Sequence, residues 1–184
     1  MKNRLYNLIF PIWMLIFIPM TWLIVLPANF LIDSLILLLS LFLFVKSNYW
    51  MIYKQTILKI WGFGFLSDFI GALILFSIYL SDFFIQNSVI SNWWYDNVFY
   101  PVSYDPFSSI FSIIWCSIAV LVSGICIYEF NYRVSFKQLS LEPKTKKKMA
   151  LLLAICTAPY LFLVPTALFF SVSYTHLRAH ETTL

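Results

Sequence analysis

Residues 58–80 read LKIWGFGFLSDFIGALILFSIYL, an apolar run with one lysine near its start and one aspartate, Asp68, near its middle. At about 1.5 Å of rise per residue, a helix of this length crosses the hydrocarbon core of a bilayer, which is about 30 Å thick. Hydrophobic residues make up 61% of the chain and charged residues only 11%, which is too little polar material to solvate a globular surface. The stretch therefore predicts a membrane-spanning helix.

Five apolar segments of this kind occur along the chain. Residues 1–171 are predicted to form a single transmembrane domain, an all-α polytopic helical bundle with five spans. Helices are expected because no segment shows the alternation that is typical of a membrane β-barrel. The connection 27–28 is predicted to be a tight hairpin. The predicted spans are residues 6–26, 29–45, 58–80, 109–128 and 149–170.

The positions of the basic residues test this number of spans. With five spans and a cytoplasmic N-terminus, every lysine and arginine of residues 1–171 lies on the cytoplasmic side. The two outer connections, 27–28 and 81–108, contain none, which is the usual charge asymmetry of membrane proteins. The basic residues concerned are Lys2, Arg4, Lys46, Lys54, Lys59, Arg133, Lys137, Lys144, Lys146, Lys147 and Lys148.

The last residues of the chain differ abruptly in composition. Residues 172–182, VSYTHLRAHET, match one reading frame of a common transposase-type sequencing adaptor. Residues 172–184 are therefore expected not to belong to the native protein, and such segments are excluded from reasoning about the fold. The two histidines of the chain, His176 and His180, both lie in this segment. Without them, no histidine-based metal site, catalytic triad or proton relay is predicted.

Asp68 is the residue that points most directly to a function. Its depth of about nine residues, or about 13 Å, in the helix places it near the middle of the bilayer. An ionised carboxylate there costs several kcal/mol unless it is paired, hydrated or protonated. One interpretation is a proton- or cation-binding site that includes the neighbouring Ser67. The other is a protonated acid that holds a neighbouring helix by a hydrogen bond.

Small residues accompany Asp68 on its helix. Gly64, Asp68 and Gly71 share one helical face, and Ser67 and Gly71 form a small-xxx-small pair that allows close helix packing. The fourth span contains a similar pair, Ala119 and Ser123, and is the predicted partner of this face.

Asp33 is a second acid within an apolar segment. It lies four residues into the predicted second span, near the outer surface, where water at the headgroups can reach it. The estimated depths separate Asp33 from Asp68 by about 10 Å along the membrane normal. That distance is too large for a catalytic pair of carboxylates without helix tilt or an error in register. Asp33 is nevertheless included with Asp68 and Ser67 among the candidate residues of an ion, proton or polar packing site.

The charged and aromatic connections have simpler interpretations. The lysines of the inner loop, Lys144, Lys146, Lys147 and Lys148, predict orientation of the fifth span and contact with anionic lipid headgroups. Glu129 and Arg133, like Glu142 and Lys146, have the i, i+4 spacing of ion pairs on a helix. The aromatic residues of 81–108 predict anchoring at the outer headgroup zone, with a lid or a docking surface as the alternative.

No motif of a characterised family, cofactor site or nucleic-acid-binding module is found. The first hypothesis is therefore a non-enzymatic accessory or scaffold subunit in a bacterial cell membrane, with lipid and other membrane subunits as partners. The second hypothesis is a small transport protein that uses Asp68 for a proton or cation. A third, an intramembrane aspartyl enzyme, requires Asp33 and Asp68 to approach within a few ångströms.

Overall fold

A computed structural model describes residues 11–45, 48–81, 85, 87–166, 168 and 169 of the 184-residue chain. These residues form helices and turns, and no strand occurs in the ranges just given. The α-helices are α1 (Trp22–Phe44), α2 (Tyr49–Leu80), α3 (Ser88–Trp94), α4 (Tyr100–Tyr104), α5 (Ile110–Phe130) and α6 (Pro143–Thr157). Single π-helical turns follow α3 and α5 at Tyr95–Phe99 and Asn131–Ser135, and 3₁₀ turns form at Ile12–Phe17, Pro19–Thr21, Pro106–Ser108 and Tyr160–Leu163.

Within the described part of the chain, three helical stretches are long and apolar enough to cross a membrane: Pro19–Phe44, Tyr49–Leu80 and Ile110–Ser135. The second contains the predicted span 58–80, and the third contains the predicted span 109–128 except for its first residue. Large apolar side chains on their surfaces are exposed, and Phe42 reaches 77%. Such extended apolar surface is typical of a helix that faces lipid. The helices therefore suggest a membrane protein, and the five-span count is not confirmed.

The predicted hairpin at 27–28 is wrong, because α1 continues through Pro27 as one 23-residue helix. Pro27 is the one helix-breaking residue between the two predicted spans. Proline is tolerated inside membrane helices, where neighbouring groups satisfy the backbone atoms that it frees. The carbonyl that Pro27 leaves without its helical donor is that of Leu23, four residues earlier; beside the proline, the Trp61 indole donates a hydrogen bond of 2.9 Å to the Leu26 carbonyl and so connects this turn of α1 to α2.

The outermost predicted spans contain prolines that do end helices. Ala158, which precedes Pro159, has an extended ψ of 148° and ends α6 after 15 residues. Ile18, which precedes Pro19, is likewise extended, with ψ at 113°. The ring of a proline disfavours helical backbone at the residue before it. Residues 6–10 of the first predicted span, like Lys2, Arg4 and residues 172–184, lie outside the described residues.

The chain divides into two compact units. One comprises residues 16–74 and 118–159, and its core joins α1 and α6 with the ends of α2 and α5. Small residues let α5 and α6 approach, since a Cβ atom on Gly124 would lie 3.8 Å from the Ala154 carbonyl oxygen. The fully buried side chains of this core include Leu37, Leu41, Ile60, Ile127, Phe136, Met149 and Leu153.

The other unit comprises residues 1–15, 75–117 and 160–184, and its described part folds the aromatic segment into short helices. Trp13 is buried and donates a hydrogen bond of 3.1 Å to the Val102 carbonyl. Burial, and then the neighbouring Tyr100, raise the pKa of the Tyr104 phenol above its ordinary value. The segment therefore has a packed interior in addition to the exposed aromatic rings that the sequence indicates.

Candidate functional site

Two pairs of residues, one on α1 and one on α2, face each other within the unit formed by residues 16–74 and 118–159. Asn29 and Asp33 are one turn apart on α1, and Gly64 and Asp68 are one turn apart on α2. The Asn29 amide Nδ2 donates a hydrogen bond of 3.4 Å to Asp68 Oδ2. A Cβ atom added to Gly64 would lie 3.1 Å from Asp33 Oδ2. The absence of a side chain at Gly64 thus leaves room for the Asp33 carboxyl group beside the turn that carries Asp68.

The two carboxyl groups are close enough to interact electrostatically. Asp33 is only 4% exposed, and Asp68 Oδ1 is a buried atom without a hydrogen-bond partner among the described residues. Two ionised carboxylates in a poorly solvated site repel each other and lose hydration. A proton or a cation between them lowers both costs, so the arrangement is suited to hold one positive charge.

The estimate from the sequence, which put Asp33 and Asp68 about 10 Å apart along the membrane normal, is therefore corrected. That estimate began the helix at Asn29, whereas α1 begins at Trp22 and places Asp33 near the middle of the helix. Side chains also tilt toward the N-terminus of their own helix. On the antiparallel helices α1 and α2, this tilt directs the side chains of Asp33 and Asp68 toward each other.

The small residues predicted for helix packing are buried, but the partner of Gly64 is α1 rather than the predicted fourth span. Ser67 is fully buried, and its hydroxyl donates to the Phe63 carbonyl of its own helix at 2.7 Å. Gly71 is buried as well. Ala119 and Ser123 are fully buried on α5. The structure therefore assigns the Gly64 face to the polar contact with α1.

The lysines predicted to lie in an inner loop are instead in the first turns of α6, at one end of the same unit. Lys147 stands over the Tyr132 ring at 5.8 Å, and Lys148 stands over the Phe44 ring at 5.9 Å. The Lys146 ammonium donates to the Lys137 carbonyl at 3.2 Å, whereas the predicted partner of Lys146 was Glu142.

Two further predictions from the sequence concern residues at this end of the unit. Lys144 is exposed, and the predicted ion pair between Glu129 and Arg133 is confirmed. The lysines at the start of α6 thus lie against aromatic rings at the end of α1 and in the turn after α5. Their contact with anionic headgroups stays a prediction.

Asn29 is the residue of the site that sequence reasoning missed. Its i, i+4 spacing from Asp33 was a usable signal, because that spacing places two polar groups on one face of an apolar helix. The signal was hidden by the predicted hairpin at 27–28, which put Asn29 at the start of a helix.

Among the described residues, no group of three or more histidine, cysteine, aspartate or glutamate side chains could hold a metal ion. No protein-family model matches the chain, and comparisons with curated proteins and with solved structures gave no significant match. The geometry of the helices and of their polar groups is therefore the evidence on which a function can be proposed.

Proposed function

We propose that the chain is a multi-pass protein of a bacterial cell membrane that binds a proton or a monovalent cation between Asp33 and Asp68, as part of transport. The observation that carries this proposal is the buried Oδ1 of Asp68, which has no partner in the described part of the chain. A buried polar atom without a partner is rare because it costs about 1–3 kcal/mol. A bound proton or cation would satisfy it.

The surroundings of Asp68 fit this ligand class. Asn29 provides a neutral amide that holds Asp68 Oδ2, and Asp33 provides a second carboxyl group across Gly64. Oxygen ligands of this kind suit hard cations as well as protons. Ionisable residues are rare within membrane spans, and those that occur there commonly mark the pathway of an ion or a proton.

Flux measurements in vesicles test the proposal. Purified protein is reconstituted in liposomes that contain a pH-sensitive dye, and a potassium gradient with valinomycin sets an inside-negative potential. The wild-type protein is expected to acidify the vesicle interior, and Asp68→Asn is expected to reduce the rate to that of empty vesicles. Asp68→Glu should restore part of the rate, since it retains the carboxyl group.

Matched controls separate this effect from a general loss of charge. Asp96 is exposed in the segment between α2 and α5, so Asp96→Asn makes the same chemical change away from the site and should leave the flux intact. Parallel vesicles with sodium, lithium or potassium gradients identify a cation other than the proton. Equal flux through the wild-type protein and a well-assembled Asp68→Asn variant contradicts the proposal.

The second candidate function is an accessory membrane subunit, in which the same cluster only joins α1 to α2. The hydrogen bond from Asn29 to Asp68 and the close approach at Gly64 favour it. In that case, no ion flux occurs through the wild-type protein, and Asp68→Asn keeps its hydrogen-bonding ability and assembles normally. Other membrane subunits would then be the partners, and co-purification from native membranes is the relevant measurement.

A further inference from the structure

A polar cavity of about 300 Å³ opens between the start of α2 and the turns that follow α5. Its size is at the lower end of the range for small-molecule sites. The cavity belongs entirely to the unit of residues 16–74 and 118–159 and does not include the Asp33 and Asp68 cluster. It is lined by Gln55, Thr56, Lys59, Ser135, Gln138 and Leu139.

The charge and hydrogen-bonding capacity of the lining favour an anion. Lys59 contributes a full positive charge, and no acidic residue belongs to the lining. Gln55 and Gln138 contribute amide groups that can donate hydrogen bonds, and the two side chains are exposed. An ammonium group surrounded by neutral donors is a common way to hold a phosphate.

Ser135 supplies a second, independent observation that points to a ligand. It is only 2% exposed, and its Oγ has no hydrogen-bond partner among the described residues. Thr56, the other hydroxyl of the lining, is buried too, but it donates to the Ile52 carbonyl at 2.8 Å. The two hydroxyls therefore differ: the Thr56 hydroxyl is bonded within its own helix, whereas the Ser135 hydroxyl has no acceptor in the described part of the chain.

The length of α2 places the cavity at the level of the lipid headgroups. The helix has 32 residues, or about 48 Å, against a hydrocarbon core of about 30 Å. The excess is expected at the end that carries Lys54 and Lys59, because charged residues avoid the hydrocarbon. Ser135 lies at the end of the candidate span Ile110–Ser135, so both walls of the cavity are near the membrane surface.

We propose that this cavity binds a phosphate group through Lys59, the amides of Gln55 and Gln138 and the hydroxyl of Ser135. The group belongs either to the headgroup of an anionic phospholipid in the adjacent leaflet or to a free phosphate ion. Both sources present the same tetrahedral anion to the same donors. The site does not depend on the proposed function of Asp33 and Asp68.

The first source, the headgroup of an anionic phospholipid, is tested by the amount of lipid that the purified protein retains. The protein in a non-ionic detergent is incubated with phosphatidylglycerol or with diacylglycerol, which has no phosphate, and bound lipid is counted by native mass spectrometry. Wild-type protein is expected to retain phosphatidylglycerol but not diacylglycerol. Lys59→Gln should lower retention by about tenfold or more, as expected for the loss of a charge-assisted hydrogen bond.

Lys54 provides the matched control, since it lies on the same helix and carries the same charge. Its ammonium stands over the Trp50 ring at 5.0 Å, and Lys54 does not line the cavity. Lys54→Gln should therefore retain lipid as the wild type does. Ser135→Ala keeps the overall charge and should also weaken retention, whereas Lys59→Arg should preserve it.

Binding of free phosphate, the second source, is tested by the midpoint of thermal unfolding in lipid-free detergent, measured with and without inorganic phosphate. A rise in the midpoint with phosphate but not with chloride, absent from Lys59→Gln, identifies free phosphate as the ligand. Loss of phosphatidylglycerol retention in Lys59→Gln but not in Lys54→Gln identifies the headgroup. If neither probe distinguishes Lys59→Gln from Lys54→Gln, the cavity is not a phosphate site and the proposal is overturned.

Discussion

Gly64 on α2 faces Asp33 on α1 so closely that a methyl group at Gly64 would lie 3.1 Å from the Asp33 Oδ2 atom. The next acid of α2, Asp68, lies one turn further on and interacts electrostatically with Asp33. Because Gly64 has no side chain, the Asp33 carboxyl group fits against α2 one turn away from Asp68. This relationship underlies both candidate functions, since it concerns ion binding as well as helix packing.

The pair Gly64 and Gly62 tests the close approach. Gly64→Ala adds a methyl group against the Asp33 carboxyl, whereas a Cβ atom at Gly62 meets no atom within 4 Å. Both substitutions gain helix propensity, but only the first requires a shift of a packed neighbour. We expect Gly64→Ala to be less stable than Gly62→Ala by about 1–3 kcal/mol, measured by denaturant titration in detergent. Equal stability of the two variants would contradict the close approach of α1 and α2.

A double-mutant cycle tests the hydrogen bond between Asn29 and Asp68. Asn29→Leu removes the donor to Asp68 Oδ2 and leaves the carboxyl group with fewer buried partners. The single change is expected to cost about 1–3 kcal/mol of stability. In combination with Asp68→Leu the cost should be less than the sum, because the two residues contact each other. Additive costs would show that the two side chains do not interact.

Thr166 connects three segments of the unit that contains residues 75–117. Its hydroxyl donates to the Ser103 carbonyl at 3.1 Å and accepts from the Ile12 backbone at 3.2 Å, while its own N–H donates to the Tyr104 carbonyl at 2.8 Å. Thr166→Val keeps the shape but removes the hydroxyl, so it should lower stability by about 1–3 kcal/mol. Chymotrypsin should then cut the aromatic segment 81–108 faster.

The conservative variant Thr166→Ser serves as the control for this prediction. It retains the hydroxyl and should keep the resistance to chymotrypsin close to that of the wild type. Comparable cleavage of Thr166→Val and Thr166→Ser would mean that the two hydrogen bonds of the Thr166 hydroxyl do not hold the segment together.

The orientation of the chain is tested by reporter fusions. Fusions of alkaline phosphatase after residue 96 are expected to be active, since this segment carries no cation and should face outward. Fusions after residue 54 and after residue 146 should be inactive, because both positions lie in basic segments that should face the cytoplasm. A fusion at the N-terminus reports the orientation that the five-span prediction requires. Activity at both 54 and 96, or at neither, would overturn the assigned sides.

Much of the helical framework could be predicted from the apolar runs and their charges. The segment 58–80 lies within α2, and the segment 109–128 lies within α5 except for its first residue, because long apolar stretches have few structural alternatives in a membrane. The effect of proline was harder to predict. Pro19 and Pro159 follow residues with extended backbone and coincide with helix ends, whereas Pro27 lies inside α1. A proline removes one helical hydrogen bond, and whether the helix continues past it depends on the surrounding packing, which at Pro27 includes the bond from Trp61 to the adjacent Leu26 carbonyl.

The candidate site was predicted only in part. Asp68 was identified from the sequence because an acid in an apolar run is costly wherever the run packs. Asn29 and the approach of Asp33 were not identified, since both depend on where α1 begins and on its register against α2. The cavity around Lys59 and Ser135 was not predicted either, because its walls come from segments about eighty positions apart.

The sequence alone determined that this chain needs an apolar environment, that its helices are long, and that its cations are restricted to particular connections. These properties depend on composition and local order, because the transfer of apolar surface into lipid is nearly independent of the packing partner and because basic residues stay outside the hydrocarbon. The tertiary structure alone decided which polar groups meet. Hydrogen bonds and the interaction between Asp33 and Asp68 act over a few ångströms, so they depend on the register of two helices that no local pattern specifies.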